Sequence, residues 1–265
     1  MHDITGRTRV FAILADPIHQ VKAPQGLNRI MAERGVDGVM VPLHVAAADL
    51  ATVLAGLRAV QSFGGAIITV PHKTAIVPLL DRVSDAAGLV GAVNAVRREP
   101  DGRLVGEILD GAGFVAGLRA AGHEPRGRSA YLAGAGGAAN AIAFALAEAG
   151  VTRLTVHNRT PARVEDLFAR LRRLFPALPL APGGPDPAGY DLVVNATSLG
   201  LRPDDSLPLD PAGLEPDQLV AEIIMQPAET PLLAAAAARG CRTHPGLPML
   251  EGQLALMADF LGMRP

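Results

Sequence analysis

The stretch SAYLAGAGGAANAIAFALAEAG, residues 129–150, constrains the fold of this chain more than any other. An apolar run ends at Gly134, Gly-x-Gly-x-x-Ala follows at 134–139, and an alanine-rich segment runs on until Gly150. The pattern predicts a buried strand, a tight turn and a helix. The residue types suit one task. Gly134 permits the turn, Gly136 lets the backbone approach a pyrophosphate, and Ala139 is small enough for the helix to pack on the strand. The helix N-terminus then offers free N–H groups and its dipole, which makes Gly134, Ala135, Gly136, Gly137 and Ala138 candidate phosphate contacts.

This unit sits in a longer alternation. After it come a strand over 153–160, a helix over 161–175, a strand over 190–200 that ends in a polar loop, and a strand over 218–225. Helices at 230–239 and 247–262 follow. Before it, strands are expected at 10–14, 39–45 and 64–73, and helices at 24–34 and 49–60. Two short helices (74–80 and 84–89) and two strands around a Pro-Asp-Gly turn (90–108) complete the first half. The proline-rich segment 175–189 predicts a surface connection. Strands separated by helices imply βαβ units and a largely parallel sheet, hence an α/β protein.

Composition narrows the function. The 265 residues suit one large or two small domains, and 49% are hydrophobic. No apolar run reaches the roughly 20 residues of a membrane helix, and the first residues do not read as a signal peptide. A net charge of −2, interleaved charges and 3% aromatics leave nucleic-acid binding without a basic face. The single cysteine excludes an internal disulfide. The histidines show no ligand spacing, so no metal is expected. A cytoplasmic protein that acts on small molecules, as a monomer or homodimer, is the expectation.

Of the 24 basic residues two are lysines, Lys22 and Lys73. Guanidinium does not deprotonate in proteins, so a group that must exchange a proton cannot be arginine. Lys73 closes the stretch TVPHK just past a buried strand, where open α/β sheets bind ligands. Asp110 also follows a strand, in GEILDGAGF. A lysine and an aspartate together make a proton-transfer pair for hydride chemistry at a hydroxyl or carbonyl, the aspartate orienting the lysine. The strand after the glycine turn ends in HNRT with no acid to hold a ribose 2′-OH. Arg159, with Asn158 and Thr160, can instead grip a 2′-phosphate, which favours NADP over NAD, with NAD still open.

The motifs TVPHK, GAVNAV, DGAGF, GAGGAA, NRT, NATSLG, TPLL and GLPMLEGQ occur in an order that resembles the shikimate dehydrogenase family, over about residues 10–260. The resemblance implies two α/β domains. One is a substrate-binding domain of residues 1–106 plus 241–265. The other is a Rossmann dinucleotide-binding domain of residues 107–240, with the active site in a cleft. It implies NADP-linked interconversion of shikimate and 3-dehydroshikimate, with Lys73 and Asp110 catalytic, Asn94 bonding ring hydroxyls, Thr69 and Gln253 lining the substrate pocket, and Thr197 and Ser198 near the cofactor.

The chain departs from that family at the acid end of the substrate. Val21 and Ala23 stand where the resemblance leads one to expect a serine pair around Lys22, and Ile67, Ile108 and Leu109 replace polar residues. A hydrogen bond to a charged group contributes roughly 1.5–3 kcal/mol, so two such losses weaken binding on the order of a hundredfold unless replaced. Lys22 and His72 are the candidate replacements. Two alternatives stay open: a dehydrogenase for quinate, aminoshikimate or a less polar cyclic hydroxy acid, and a non-catalytic NADP(H)-binding sensor.

Overall fold

The computed structural model describes residues 3–202 and 204–264. The chain divides into two compact units, residues 1–109 with 253–265, and residues 110–252.

The first unit runs β1 (Arg9–Ala15), α1 (Ala23–Glu33), β2 (Gly38–His44), α2 (Leu50–Ala59), β3 (Phe63–Ile68), β4 (Arg82–Val83), α3 (Asp85–Val90), β5 (Ala95–Arg98) and β6 (Leu104–Glu107). Its sheet has the order β2-β1-β3-β5-β6-β4. β2, β1 and β3 are parallel, joined by crossovers through α1 and α2. β5 and β6 are antiparallel neighbours, because the Pro-Asp-Gly turn between them is too short for a crossover. β3 is buried along its whole length, as a central strand should be. The expected helix over 74–80 shrinks to a single 3₁₀ turn at Val77–Leu79 with a proline at its start. Ser84 caps α3, its Oγ accepting from the Ala87 N–H at 3.1 Å.

The second unit contains α4 (Asp110–Ala120), β7 (Ser129–Ala133), α5 (Gly137–Ala149), β8 (Arg153–His157), α6 (Pro161–Leu174), β9 (Leu180–Pro182), β10 (Leu192–Asn195), β11 (Leu219–Glu222), α7 (Pro231–Ala238), β12 (Arg242–His244) and α8 (Leu247–Phe260), whose last eight residues belong to the first unit. Its sheet is parallel throughout, in the order β9-β8-β7-β10-β11-β12. Numbered within the unit this is 3-2-1-4-5-6, and the order reverses between β7 and β10. Tyr131, Val193, Val220, Leu232 and Leu233 pack in one core cluster on this sheet.

Two edge strands lie where sequence periodicity is silent. β9 falls inside the proline-rich segment read as a connection; it pairs with β8 through Leu154, Thr155 and Val156. β12 pairs with β11, which keeps residues 241–252 in the second unit and moves the boundary expected at 241 to 253. Close packing adds to this. A Cβ on Gly117 would lie 2.7 Å from the Pro248 carbonyl oxygen, and one on Gly252 2.6 Å from that of Gly113, so the first turns of α8 press on α4. Beyond Gln253 the same helix packs in the first unit, with Arg34 paired to Asp259 at 2.8 Å and Arg97 Nη1 donating to the Phe260 carbonyl at 3.1 Å. The other boundary, expected at 106/107, falls at 109/110, because Asn94 holds the backbone of Leu109.

Candidate active site

In the first unit the candidate residues gather past the ends of β1 and β3. The Thr69 N–H donates to the Leu14 carbonyl at 3.2 Å, and the Thr69 carbonyl accepts from the His72 N–H at 2.8 Å. These bonds fold Thr69-Val70-Pro71-His72 into a turn that delivers Lys73, half-buried, directly past β3. The Lys73 carbonyl accepts from the Val93 N–H at 2.8 Å. The next residue, Asn94, is 1% exposed. Its Oδ1 accepts from the Leu109 N–H at 2.8 Å, and its backbone bonds Ile68 and Glu107. The Asn94 side chain is thus anchored to the backbone of Leu109. Glu107 Oε1 accepts from the Ser84 hydroxyl and from the Ile108 N–H. Gln253, on α8, is buried, and Thr69 is half-buried.

His72 is not the substrate donor that its place beside Lys73 suggests. Its side chain is 0% exposed, and Nε2 lies 2.8 Å from the Val45 carbonyl. A carbonyl only accepts, so Nε2 carries the proton, and Nδ1 is left buried without a partner. The ring pins the turn to the end of β2; it steadies Lys73 from behind. Lys22 occupies the position before α1, half-buried, and has no hydrogen-bond or ion-pair partner among the described residues. Beside it Val21 is half-buried and Ala23 buried.

In the second unit Asp110 opens α4 and is 3% exposed. A carboxylate there faces the free N–H groups of the first helical turn. Gly111 must follow it, because a Cβ would meet the Ala141 carbonyl oxygen at 2.1 Å.

The glycine turn lies at the point where the strand order reverses. Gly134 has φ +115°, its N–H donates to the His157 carbonyl at 2.8 Å, and an added Cβ would lie 2.9 Å from the Ala196 carbonyl oxygen. Gly136 precedes α5, and no atom lies within 4 Å of a Cβ built on it. Gly134 is thus demanded by the neighbouring loop, while Gly136 leaves open space at a helix N-terminus. Asn140 in the first turns of α5 keeps a buried Oδ1 without a partner. An open cradle and the helical N–H groups at the start of α5 fit the pyrophosphate of a dinucleotide. At the end of β8, Asn158 Nδ2 donates to the Thr160 carbonyl at 3.1 Å. Arg159 and Thr160 are exposed, and Arg159 has no hydrogen-bond or ion-pair partner among the described residues.

The loop after β10 folds around one side chain. Asn195 Oδ1 accepts from the Thr197 N–H at 3.0 Å and the Thr197 hydroxyl at 2.7 Å, and Nδ2 donates to the Leu199 carbonyl at 3.0 Å. The Thr197 hydroxyl also accepts from the Leu199 N–H at 3.0 Å. These bonds shape the loop around Asn195; Thr197 is half-buried and Ser198 exposed. Behind Asn195 stands Glu222, whose oxygens accept from Nδ2 at 2.9 and 3.1 Å. Burial pushes the Glu222 carboxyl up to about 7, against the pull of hydrogen bonds from Asn195, Thr230 and two backbone N–H groups. Sequence reading passed over Glu222. The signal available was a single acid closing the apolar strand in VAEIIM. Among the described residues no cluster of three or more His, Cys, Asp or Glu could hold a metal, and no helix is long and apolar enough to cross a membrane.

A parallel sheet in this order, with a glycine turn at its reversal point, defines a dinucleotide-binding unit. Coupled in one chain to an α/β unit that presents a lysine at its strand ends, it defines the class of nicotinamide-dependent oxidoreductases. Comparison with known proteins narrows this further. Residues 13–96 match the shikimate dehydrogenase substrate binding domain, and residues 119–199 match the shikimate / quinate 5-dehydrogenase family. A shikimate dehydrogenase (NADP(+)) from Geobacter metallireducens is 40% identical, covering 99% of this chain and 94% of that protein. The structure of shikimate 5-dehydrogenase from Listeria monocytogenes in complex with shikimate and NAD superposes with a TM-score of 0.90 at 31% identity, covering 100% of this chain and 95% of that one. The ligand-free 5-ketofructose reductase of Gluconobacter sp. strain CHM43 gives 0.86 at 32% identity, with coverages of 97% and 94%. The chain belongs to the shikimate dehydrogenase family.

Proposed function

We propose that this protein is an NADP-dependent oxidoreductase that interconverts a ring hydroxyl and a ketone on shikimate/3-dehydroshikimate or a close cyclic hydroxy acid, with Lys73 and Asp110 as the proton-transfer pair. The dinucleotide, when bound, supplies or accepts the hydride. The ammonium of Lys73 gives a proton to the carbonyl oxygen on reduction and recovers it from the hydroxyl on oxidation. The Asp110 carboxylate orients that ammonium. Asn94, Thr69 and Gln253 bind the ring, and Lys22 pairs with the acid group as a point charge.

One observation carries this reading. Lys73, Asn94 and Leu109 are tied together by the bonds Val93 N–H to Lys73 carbonyl and Leu109 N–H to Asn94 Oδ1, and Asp110 is the next residue in the chain. A lysine in a chain otherwise reliant on arginine is thus built into a rigid frame with the residue that precedes the carboxylate. The names of the relatives, and shikimate and NAD in the Listeria structure, support the substrate and cofactor. The reading places the enzyme in the cytoplasm, acting as a monomer or homodimer.

A second reading keeps the chemistry and changes the substrate. Val21, Ala23 and Ile67 carry no polar side-chain groups, and the Gluconobacter relative is named for an uncharged ketose. Steady-state rates with shikimate, quinate and 5-ketofructose, each with NADP(H) and NAD(H), decide. Turnover of shikimate favouring NADP(H) is the expected result; turnover of the ketose alone moves the assignment to the second reading. Absence of turnover, with tight NADPH binding, makes the chain a sensor. Arg159→Ala tests the cofactor assignment: its KM for NADP rises about tenfold, the loss of one charge-assisted contact, while that for NAD is unchanged.

A further inference from the structure

The buried carboxylate of Glu222 is the largest investment in polar chemistry that the proposed reaction leaves unused. It closes β11 directly beside Asn195, which closes β10, in register across the parallel ladder. Both side chains are 0% exposed. An ionisable group with no solvent contact needs partners that satisfy it. Glu222 has them: Asn195 Nδ2 at 2.9 and 3.1 Å, the Thr230 hydroxyl at 2.9 Å, and the N–H groups of Ile223 and Ile224. Every one is a donor. The cage is built for an acceptor.

The partners lead to the dinucleotide cradle. Asn195 has two chemically different ends, and the carboxylate decides which end faces inward. With Nδ2 on Glu222, Oδ1 is turned to the Thr197 N–H and hydroxyl, and the loop 195–199 closes. The Ala196 N–H in that loop donates to the Ala133 carbonyl at 2.9 Å, and the Ala196 carbonyl packs where a Gly134 Cβ would sit. The chain of contacts therefore runs from Glu222 through Asn195 to the wall of the glycine turn. On its other side Thr230 accepts from the Leu233 N–H at 3.2 Å and caps α7.

We propose that Glu222 is the positioning residue of the dinucleotide site: as an acceptor it orients Asn195, and through it holds loop 195–199 against the Gly134 turn in the shape that receives the cofactor. This rests on the reading of the second unit as a dinucleotide-binding unit. Among the described residues no charged group competes for the carboxylate. The charged and titratable groups on the packed elements are Arg202 and Asp205 past β10, Glu229 ahead of α7, and Arg242 and His244 on β12, and none hydrogen-bonds or pairs with it. Protonated Glu222 would point an O–H at N–H groups and lose an acceptor, so the loop is held best above pH 7.

NADPH affinity of the substrate-free protein, measured by fluorescence titration at pH 8, 7 and 6, tests this. Glu222→Gln replaces one acceptor oxygen by a donor. Its dissociation constant is expected to exceed that of the parent roughly tenfold at pH 8, the effect of one lost hydrogen bond to a charged group. The ratio of variant to parent falls toward one at pH 6, where the parent carboxyl has also taken a proton. Titration of the nucleotide phosphate affects both proteins and cancels in that ratio. Glu222→Asp keeps the charge with a shorter reach and binds with intermediate affinity; it takes the place of the glutamine variant in the same titration should the latter not fold. A ratio of one at pH 8, or a raised ratio that stays constant down to pH 6, overturns the proposal, since simple packing has no reason to follow pH. If the parent binds neither NADPH nor NADH, the dinucleotide reading fails and this inference with it; equal binding by parent and variant removes this inference alone.

Discussion

The two units use similar elements for different kinds of site. Both contain parallel strands joined by helices: β2-β1-β3 at one side of the first sheet, and all six strands of the second. The second unit places backbone at its functional end: the Gly134 turn, an open Gly136 and the N-terminus of α5. The first places side chains there, Thr69, Lys73 and Asn94, each fixed by what its neighbours bond. Backbone sites depend on φ and on small residues, so they leave a spacing in the sequence. Side-chain sites depend on which polar groups the fold has already consumed, and spacing carries no record of that. The glycine turn of the second unit keeps its fingerprint, while Val21, Ala23 and Ile67 in the first unit stand where the family resemblance leads one to expect polar residues.

The contrast can be broken most severely at Lys73. Lys73→Ala is expected to lower kcat roughly a thousandfold, within the range of a lost general acid–base group, with little change in stability. Lys73→Arg is expected to restore none of it, because guanidinium holds its proton. Parental rates in either variant would remove the lysine from the mechanism.

A second test asks whether the second unit, for all its backbone chemistry, also hangs on one side chain. The folded Glu222 carboxyl titrates at about 7, above the 4.5 of the free group. The native state therefore binds the extra proton between these values, and the contribution to stability present below pH 4.5 is lost as pH rises to 7, on the order of 3 kcal/mol. Glu222→Gln has no such titration. Denaturant unfolding across pH 4.5–7 is expected to show the parent losing ground against the variant as pH rises; parallel profiles would mean that the carboxyl titrates normally.

Gly134→Val sharpens the backbone side. At φ +115° and 2.9 Å from a carbonyl oxygen, a branched side chain forces the turn open. NADPH affinity is expected to fall by a factor of ten or more, while shikimate binding measured without cofactor is unchanged. The smallest effect belongs to His72. Its ring is turned away from solvent and bonded to Val45, so His72→Leu is expected to leave the substrate KM within about threefold of the parent, the small change of a site that touches no ligand. A tenfold rise would return the imidazole to the substrate pocket.

The legible part of the candidate site was the part written in rare residues. Gly134 and Gly136 stood in a strand–turn–helix context, Lys73 stood out against 22 arginines, and Arg159 stood where an acid was missing. The part played by His72 was misjudged because proximity in sequence to a functional motif says nothing of which way a side chain turns. The ring of His72 goes to a carbonyl 27 residues away. β9 and β12 were missed since three-residue edge strands are too short to show a period, and they form because β8 and β11 offer them open ladders.

The alternation of the longer strands and helices, the dinucleotide turn and the lysine available for proton exchange follow from the amino-acid sequence alone, because each rests on local spacing or on a residue type that nothing else can replace. The grip of Asn94 on Leu109, the commitment of His72 to Val45 and the cage of donors around Glu222 were decided only in the tertiary structure. A polar group's role is set by the partners that burial brings to it, and the deciding ones, Asn94 with Leu109, His72 with Val45 and Glu222 with Asn195, lie 15 to 27 residues apart in the chain.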